Sequence, residues 1–364
     1  MAAGSAAFAS GFPKGLGHTV RLFYDPQEQV HAPLVEMHNG SFVPYLEHSG
    51  RIDSVLAAIG GTEQPADFGL APIAVVHTPE YLEFLQSAHD AWLAAGRTGD
   101  ALPYVWPVRR RRDLRLERID ARLGRFSFDA TTPVAAGTWS SAYAGAQVAL
   151  GAVRAVLDGS GLSFGLCRPP GHHAGADYMG GYCYLNVAAI AAQSARDSGL
   201  SRVAILDVDY HHGNGTQDIF WDRGDILYVS LHADPATDYP FFWGHADERG
   251  SGEGEGATLN LPLPRGTGAD AYRHTLGTAL RAIEDFGPEL LVVSFGADTF
   301  VGDPICSFEL VTTDYATIAA DIARCGIPAV ILLEGGYATE ALGTNVASFL
   351  HGFERGSDQP GAWT

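Results

Sequence analysis

Short apolar runs rich in β-branched residues recur through the second half of the chain. They occupy residues 162–166, 203–206, 226–231, 290–294 and 329–333. Stretches with helical spacing of apolar positions lie between several of these runs, at residues 187–196, 270–285 and 314–325. Strands that alternate with helices predict a mainly parallel sheet with helices on both faces. The predicted fold class is therefore α/β, a three-layer sandwich.

The first 150 residues are less regular. Amphipathic helices are predicted at residues 81–92 and 142–156, and a long irregular stretch separates them at about 95–137. A connection of that length within a compact domain is usually functional or forms an interface. The chain has no internal repeat and no sharp change of composition, so we expect a single domain over residues 1–364 that contains this insertion.

Polar side chains follow four of the predicted strands at the point where each strand ends. These polar segments are residues 167–173, 207–215, 296–298 and 334–337. The carboxyl ends of parallel strands meet at the edge of the sheet where open α/β folds bind their ligands. The agreement of four strand ends predicts one active-site crevice at this edge.

Composition narrows the classes of partner and location. The 364 residues carry a net charge of -19, from 42 acidic and 23 basic side chains. Such a field repels nucleic acid and attracts cations, although charge by itself favours solubility alone as the reason for it. No apolar run reaches the roughly 18 residues that span a bilayer, and the N-terminus lacks the pattern of a signal peptide. Four cysteines without a CxxC pair indicate a reduced, cytoplasmic protein.

The segment Asp207-Val-Asp209-Tyr-His211 is the strongest candidate for a metal site. Residues two apart in an extended strand point to the same face, so these side chains can converge. Buried carboxylates and an imidazole need a neutralising partner, which a divalent cation provides. Together with Asp298, Asp209 and His211 form a three-ligand set of the kind that catalytic zinc uses. An acidic turn with a helix-capping aspartate would explain one of these residues, but not the cluster.

Two further features favour acid–base chemistry. His172 and His173 follow a rigid Pro-Pro-Gly turn at a strand end, where a pair of histidines favours proton transfer over a structural role. Tyr337 follows two glycines that allow unusual backbone conformations, and these can direct a phenol into the crevice. A buried structural histidine or tyrosine is the alternative for each residue taken alone.

Together these motifs resemble the histone deacetylase superfamily. The matching segments, in order, are RPPGHHA, GGYCYLN, DVDYHHGNGTQ, GADTFVGDP and EGGY. The resemblance extends from about residue 22 to the end of the chain. Within the superfamily, the segments VEMHNGSFVP, WPVRR and HADPATDYPFF are most similar to bacterial acetylpolyamine amidohydrolases.

The resemblance implies a fold and a set of roles. The fold is of the arginase–deacetylase type, with a parallel sheet of about eight strands, and the zinc ligands are the same three residues. His173 would be the general base and His172 its electrostatic partner, with Asp207 and Asn214 as the acceptors that hold them. Tyr337 would be the hydroxyl that binds the carbonyl oxygen of the substrate.

The resemblance also implies binding residues around the catalytic centre. The aromatic walls of a narrow tunnel would be Tyr182 and Phe242. A structural potassium ion would lie near Asp207, Ser230 and Leu231. The acidic residues expected at the tunnel mouth are Glu36, Asp120 and Asp129.

The sequence therefore predicts a zinc-dependent deacetylase of acetylated polyamines or similar small cationic amines. We expect a homodimer in which residues 95–137 pair the subunits and narrow the mouth, with no nucleic-acid or membrane partner. Deacetylation of protein lysine side chains is the main alternative, because protein deacetylases of class II share the long motifs. A non-catalytic protein that binds acyl ligands is a weaker alternative, because every catalytic position is intact.

Overall fold

Parallel strands form the centre of the molecule. The structure is a computed structural model that describes residues 20–108 and 115–357; the arginines at the end of the WPVRR segment and part of the predicted insertion fall outside these ranges. The strands are β1 (Arg21–Phe23), β2 (Val35–His38), β3 (Ser41–Pro44), β4 (Leu162–Gly165), β5 (Val203–Asp207), β6 (Ile226–Ala233), β7 (Thr258–Leu263), β8 (Leu290–Phe295) and β9 (Ala329–Leu333).

Seven of these strands form one sheet in the order β1-β4-β9-β8-β5-β6-β7, and every pairing is parallel. The strands β2 and β3 pair separately as an antiparallel hairpin. After β4 the chain crosses over β9 and β8 to form β5, and it later returns to form β8 and β9. The chain leaves β5 toward β6 but leaves the neighbouring β8 toward β9, so the loops that follow β5 and β8 diverge and open a crevice at the carboxyl edge of the sheet.

Helices cover both faces of the sheet. The helices are α1 (Gly50–Ile59), α2 (Ala71–Ala74), α3 (Pro79–Ala94), α4 (Ile119–Arg125), α5 (Thr138–Ala155), α6 (Val187–Asp197), α7 (Asn214–Ile219), α8 (Ala269–Phe286), α9 (Thr312–Ala323) and α10 (Thr339–Ser357). One apolar core includes side chains of α3, α5 and α6, and a second includes side chains of α1, α8, α9 and α10. Alternate residues of β5 enter the two cores, as expected of a strand buried on both faces.

Local sequence explains how the catalytic turn is joined to α6. Asn186 caps this helix by accepting a hydrogen bond from the backbone N–H of Ala189 at 2.9 Å. A Cβ atom at Gly171 would press against the backbone of Val187, so the turn before the histidine pair packs on the helix start only because it lacks a side chain.

The predicted three-layer α/β class is confirmed, and all five predicted strands are present. Among the described residues the main sheet has seven strands, whereas the resemblance implied about eight, because β2 and β3 pair with each other instead of joining it. None of the helices in the described ranges is long and apolar enough to cross a membrane.

Candidate active site

Three possible metal ligands converge where β5 and β8 end. The Nδ1 atom of His211 lies 3.3 Å from Asp209 Oδ1 and 3.1 Å from Asp298 Oδ2. All three side chains are buried. The strands β5 and β8 are direct neighbours in the sheet, so residues 89 positions apart meet at one point. The structure thus brings together the three residues that the sequence predicted as zinc ligands.

Main-chain amides fix the direction of both carboxylates. The two oxygens of Asp209 accept hydrogen bonds from the N–H of His211 and the N–H of Gly335, each at 2.8 Å. The Oδ1 atom of Asp298 accepts from the N–H of Tyr210 at 3.0 Å. A Cβ atom at Gly335 would overlap both carboxylates, so the backbone can approach them this closely only at a glycine.

The electrostatics of this cluster suit a cation. Burial by itself lowers the pKa of His211, but its hydrogen bonds to Asp209 and Asp298 outweigh burial and raise the pKa to about 10. Burial and the neighbouring Asp209 carboxylate raise the pKa of Asp298. The raised pKa of His211 shows that its two carboxylate neighbours favour positive charge at the point the three groups share. One nitrogen and two carboxylate ligands fit zinc, so the donor set matches the metal that the family resemblance implies.

The two histidines of the Pro-Pro-Gly turn are held in different ways. The Nδ1 atom of His172 lies 3.0 Å from Asp207 Oδ2, and the Nδ1 atom of His173 lies 2.7 Å from Asn214 Oδ1. Both acceptors require a proton on Nδ1, so neutral His173 has its lone pair on Nε2. The ring centroids of the two histidines are 4.1 Å apart.

Their pKa values move in opposite directions. Burial lowers the pKa of His172, but the carboxylates of Asp207 and Asp209 outweigh burial and raise it to about 10. Burial, followed by the charges of His172 and His211, lowers the pKa of His173 well below its usual range. The pair thus combines a charged imidazolium with a neutral imidazole, which is the protonation state of a general base.

Tyr337 is fixed by its backbone and by a buried arginine. Its N–H donates to Asp303 Oδ2 at 2.6 Å, and the guanidinium of Arg51 lies 5.1 Å from the centre of its ring. Arg51 also donates to the carbonyl of Gly336 at 2.7 Å. Burial is the main reason why the pKa of Tyr337 is raised well above its usual range, so the phenol keeps a proton to donate.

Comparison with known proteins gives the family. The model of the histone deacetylase domain matches residues 37–353. The chain belongs to the histone deacetylase family. It is 47% identical over 336 residues to acetylpolyamine amidohydrolase 2 of Pseudomonas aeruginosa, covering 91% of this chain and 98% of that protein. It is 42% identical over 338 residues to the acetylpolyamine amidohydrolase of Mycoplana ramosa, covering 92% and 99%.

A solved structure agrees with the fold. The acetylpolyamine aminohydrolase of Burkholderia pseudomallei superposes with a TM-score of 0.88 at 40% identity, covering 92% of this chain and 98% of that one. This histone deacetylase family member therefore shares its architecture with a relative over nearly its full length.

The two residues predicted to form the aromatic walls differ in exposure. Tyr182 is buried and its ring lies 5.4 Å from that of Tyr337, as expected of a wall. Phe242 is 79% exposed and contacts Trp243, so its place in the wall stays a prediction. Tyr239 is the ring beside the catalytic centre, 5.1 Å from that of His173.

The conformation of the intervening residues explains this difference. Phe241 has a φ of 60°, which reverses the chain, and the N–H of Phe242 bonds back to the carbonyl of Pro240 at 2.7 Å. Phe242 is therefore turned into solvent. The ring of Tyr239 instead stacks on that of Phe128, with centroids 5.9 Å apart, and both rings line the same side of the site.

Two of the three predicted acids lie beside these aromatic walls. Glu36 is 1% exposed; its Oε1 atom accepts a hydrogen bond from the hydroxyl of Tyr182 at 3.0 Å, and its Oε2 atom has no partner. Burial is the main cause that raises the pKa of Glu36 to about 7. Asp129 accepts from the N–H of Gly181 at 2.7 Å and from the hydroxyl of Tyr239 at 2.8 Å. Asp129 thus holds both walls, whereas Glu36 retains an unpaired oxygen.

Asp120 is already paired with arginines. It lies in the first turn of α4, where Arg97 and Arg118 form ion pairs with it. Only 6% of its side chain is exposed. The hydrogen bond from Arg97 is the main cause that lowers its pKa to about 2. Its charge is already neutralised by two arginines, which argues against attraction of a substrate by Asp120, and that role stays a prediction.

The residues predicted to hold potassium are adjacent in the sheet. Asp207 and Ser230 are direct partners in the register of β5 and β6, and Leu231 follows Ser230. The Oγ atom of Ser230 lies 2.8 Å from His232 Nδ1. The structure therefore brings the three residues to one edge of the sheet.

Sequence reasoning missed four residues that shape this site. These are Arg51, Tyr239, Asp303 and Glu334. Arg51 gives no local signal, because it acts on a loop far away in sequence, whereas Asp303 lies in the GADTFVGDP segment but was assigned no function. Glu334 opens the EGGY motif and was visible as a polar residue at a strand end, but it received no role.

Proposed function

We propose that this chain is a zinc-dependent amidohydrolase that removes the acetyl group from acetylated polyamines or similar small cationic amines. Two of its relatives, at 47% and 42% identity, are named acetylpolyamine amidohydrolases. The observation that carries the choice of substrate is Glu36, a buried carboxylate beside an aromatic wall whose Oε2 atom has no partner. A buried unpaired anion is costly unless a ligand satisfies it, and a substrate ammonium group would do so.

The residues that would hold the zinc ion are Asp209, His211 and Asp298. When bound there, zinc supplies Lewis-acid polarisation of the amide carbonyl and of water. The protein contributes the rigid backbone contacts that orient both carboxylates, so the site is preorganised before substrate enters.

His173 acts as the general base. Its Nδ1–H is held by Asn214, so its Nε2 atom takes a proton from the attacking water. The imidazolium of His172 beside it lowers the pKa of His173 and keeps the base neutral between turnovers. Protonated His173 then delivers the proton to the departing amine nitrogen.

Tyr337 stabilises the charge that develops on the carbonyl oxygen. Its hydroxyl keeps its proton because burial raises its pKa, so it donates a hydrogen bond to the oxygen as the carbonyl is attacked. Asp303 and Arg51 hold the Tyr337 loop, which reduces the reorganisation needed at that step.

A comparison of two substrates with the same four-carbon chain tests the choice of substrate. N-acetylputrescine and N-butylacetamide differ only in the distal ammonium group. We expect kcat/KM to favour N-acetylputrescine by about 10- to 100-fold, which is 1.4 to 2.7 kcal/mol for one buried charge pair. Glu36→Gln should remove this preference. Glu80→Gln, which makes the same charge change at an exposed site on α3, should keep it.

Other outcomes would support the alternatives. Faster deacetylation of histone-tail peptides than of N-acetylputrescine by the wild-type enzyme would favour a protein lysine deacetylase. Binding of these acetyl amides by the zinc-loaded protein without any turnover would favour an acyl-ligand binding protein.

We also propose a homodimer, a structural potassium ion and a cytoplasmic location. A homodimer built on the insertion at residues 95–137 is supported by its exposed apolar side chains Tyr104, Val105 and Val108. A structural potassium ion at Asp207, Ser230 and Leu231 is supported by their adjacency in the sheet. A cytoplasmic location is supported by four cysteines that are all free thiols.

A further inference from the structure

Glu334 is a fully buried carboxylate whose two oxygens both accept hydrogen bonds. It follows β9 directly, and none of its surface is exposed. The Oε2 atom accepts from the N–H of Gly171 at 2.6 Å and from the N–H of His172 at 3.1 Å. The Oε1 atom accepts from the hydroxyl of Ser294 at 3.1 Å. The carboxylate therefore bridges two consecutive amides of the catalytic turn and the end of β8.

The backbone around Glu334 contacts the other parts of the site. Its carbonyl accepts from Arg51 Nη2 at 2.5 Å. The next residue, Gly335, donates its N–H to the metal-site carboxylate of Asp209. Tyr337 is only three residues further along the chain. The short segment at residues 334–337 thus contacts the turn of the base and one metal-binding carboxylate, and it carries the oxyanion donor itself.

The side chain of Glu334 also lies close to His172 and Cys183, so a second metal site has to be considered. Both carboxylate oxygens already accept hydrogen bonds from groups that cannot give up their protons at neutral pH. Burial is the main cause that raises the pKa of the Cys183 thiol, and that thiol donates to the carbonyl of Gly181 at 3.3 Å. The hydrogen bonds account for this cluster without a metal ion.

Two separate constraints therefore set the position of His173. Asn214 fixes the rotation of its ring, whereas Glu334 fixes the backbone that carries it. Two hydrogen bonds from consecutive amides to one oxygen of a fully buried side chain suit a turn whose position must not drift. A displacement of about 1 Å in a reacting group can cost about 10²-fold in rate.

We propose that Glu334 is a positioning residue that sets the distance between the general base His173 and the segment that carries Tyr337. This rests on the proposed amidohydrolase function. Glu334 does not touch the substrate, so its loss lowers kcat and leaves KM nearly unchanged. The hydrogen-bond geometry, and not the negative charge, carries the effect.

A pair of conservative variants separates geometry from charge. In Glu334→Gln, the amide oxygen can still accept from Gly171 and His172, and the amide nitrogen can donate to Ser294. In Glu334→Asp, the charge remains but the side chain is one methylene too short to reach the turn. We expect Glu334→Gln to keep kcat within about 5-fold of wild type and Glu334→Asp to lose about 10²-fold. Ser294→Ala, which removes only the Oε1 contact, should lose about 3-fold or less.

The measurements are kcat and KM, zinc content by elemental analysis, and thermal unfolding of each variant. KM within about 2-fold of wild type and full zinc occupancy in Glu334→Asp would support the proposal. A Glu334→Asp variant more active than Glu334→Gln would overturn it in favour of a charge effect. Wild-type kcat in both variants would also overturn it, as would a parallel loss of zinc and rise of KM, which indicates general structural damage.

The assay uses a fluorogenic acetyl-lysine amide beside N-acetylputrescine. If the wild-type enzyme acts on the first substrate and not on the second, the proposed polyamine substrate fails. The ratio of variant to wild-type kcat on the fluorogenic substrate still tests the role of Glu334, so the two failures are distinguishable.

Discussion

The floor of the crevice, around Asp209, Asp303 and Glu334, and its rim, around Glu36 and Phe242, differ in surroundings. The carboxylates of the floor are more fully paired than the carboxylate of the rim. On the floor, the carboxylates of Asp209, Asp303 and Glu334 all accept backbone N–H groups at short distance. At the rim, one oxygen of Glu36 is buried without a partner, and Phe242 projects into solvent. A fully paired network is rigid and suits chemistry that must repeat without reorganisation. An unpaired buried anion is a site prepared for a charged ligand.

The largest expected effect comes from removing one of the proposed metal ligands on the floor. Asp209→Ala, His211→Ala or Asp298→Ala should each lower bound zinc and reduce kcat by about 10³-fold or more, because three protein ligands leave no spare donor. Elemental analysis and steady-state kinetics measure both quantities. Asp158→Ala removes an exposed carboxylate after α5 and should change neither. Tight, full zinc occupancy in all three variants would contradict this assignment.

Removal of the Tyr337 hydroxyl tests a single hydrogen-bond donor of the floor. Tyr337→Phe keeps the ring that packs on Tyr182 and Arg51, so the fold and the zinc content should not change. Loss of one oxyanion donor should lower kcat by about 10²- to 10³-fold. An unchanged kcat with a raised KM would instead make Tyr337 a substrate contact.

The rim should respond to pH through Glu36. Its pKa is about 7, so the carboxyl group gains a proton and loses its charge as pH falls through this value. We expect the ratio of kcat/KM for N-acetylputrescine to that for N-butylacetamide to fall below about pH 7. In Glu36→Gln this ratio should be low and independent of pH. A wild-type ratio that is constant from pH 5.5 to pH 8.5 would exclude Glu36 as the ammonium-binding group.

The same pKa has a consequence for stability. The folded-state pKa of Glu36 lies above its ordinary value of 4.5, so folding is accompanied by proton uptake between these two values. The contribution of Glu36 to stability is therefore greatest below about pH 4.5 and is lost as pH rises through about 7. Glu36→Gln should raise the melting temperature relative to wild type at pH 8 but not at pH 5. The opposite order would show that Glu36 is paired in solution.

The smallest effect distinguishes two neighbouring aromatic residues. Tyr239→Ala removes the ring that faces His173 and should lower kcat/KM by about 10-fold, in line with burial of one aromatic side chain against a substrate chain. Phe242→Ala removes an exposed ring and should change kcat/KM for the small amine by about 2-fold or less. Equal losses of kcat/KM in both variants would support the prediction that Phe242 forms part of the wall.

The sequence by itself determined the fold class of this protein and which residues meet at its candidate active site. Apolar β-branched runs define strands, and in a parallel sheet the residues that follow those strands must share one edge. Asp209, His211, Asp298 and Tyr337 lie within four residues of a strand end and His173 within eight, so their convergence could be predicted without knowing the strand order.

Tertiary structure alone decided which acidic groups stay unpaired, which aromatic side chains face the site and which distant residues support the Tyr337 loop. Asp120 and Glu36 are both acidic residues outside the main sheet, yet two arginines neutralise the first and none pairs with the second. Tyr239, for which no place was predicted, faces His173, and Phe242 is exposed, because a chain reversal at Phe241 sets side-chain direction in an irregular loop. Arg51 reaches the carbonyl of Gly336, 285 residues away, through packing of α1 on α10. Side-chain direction in loops and pairing between distant segments follow from three-dimensional packing. A local sequence pattern does not contain this information.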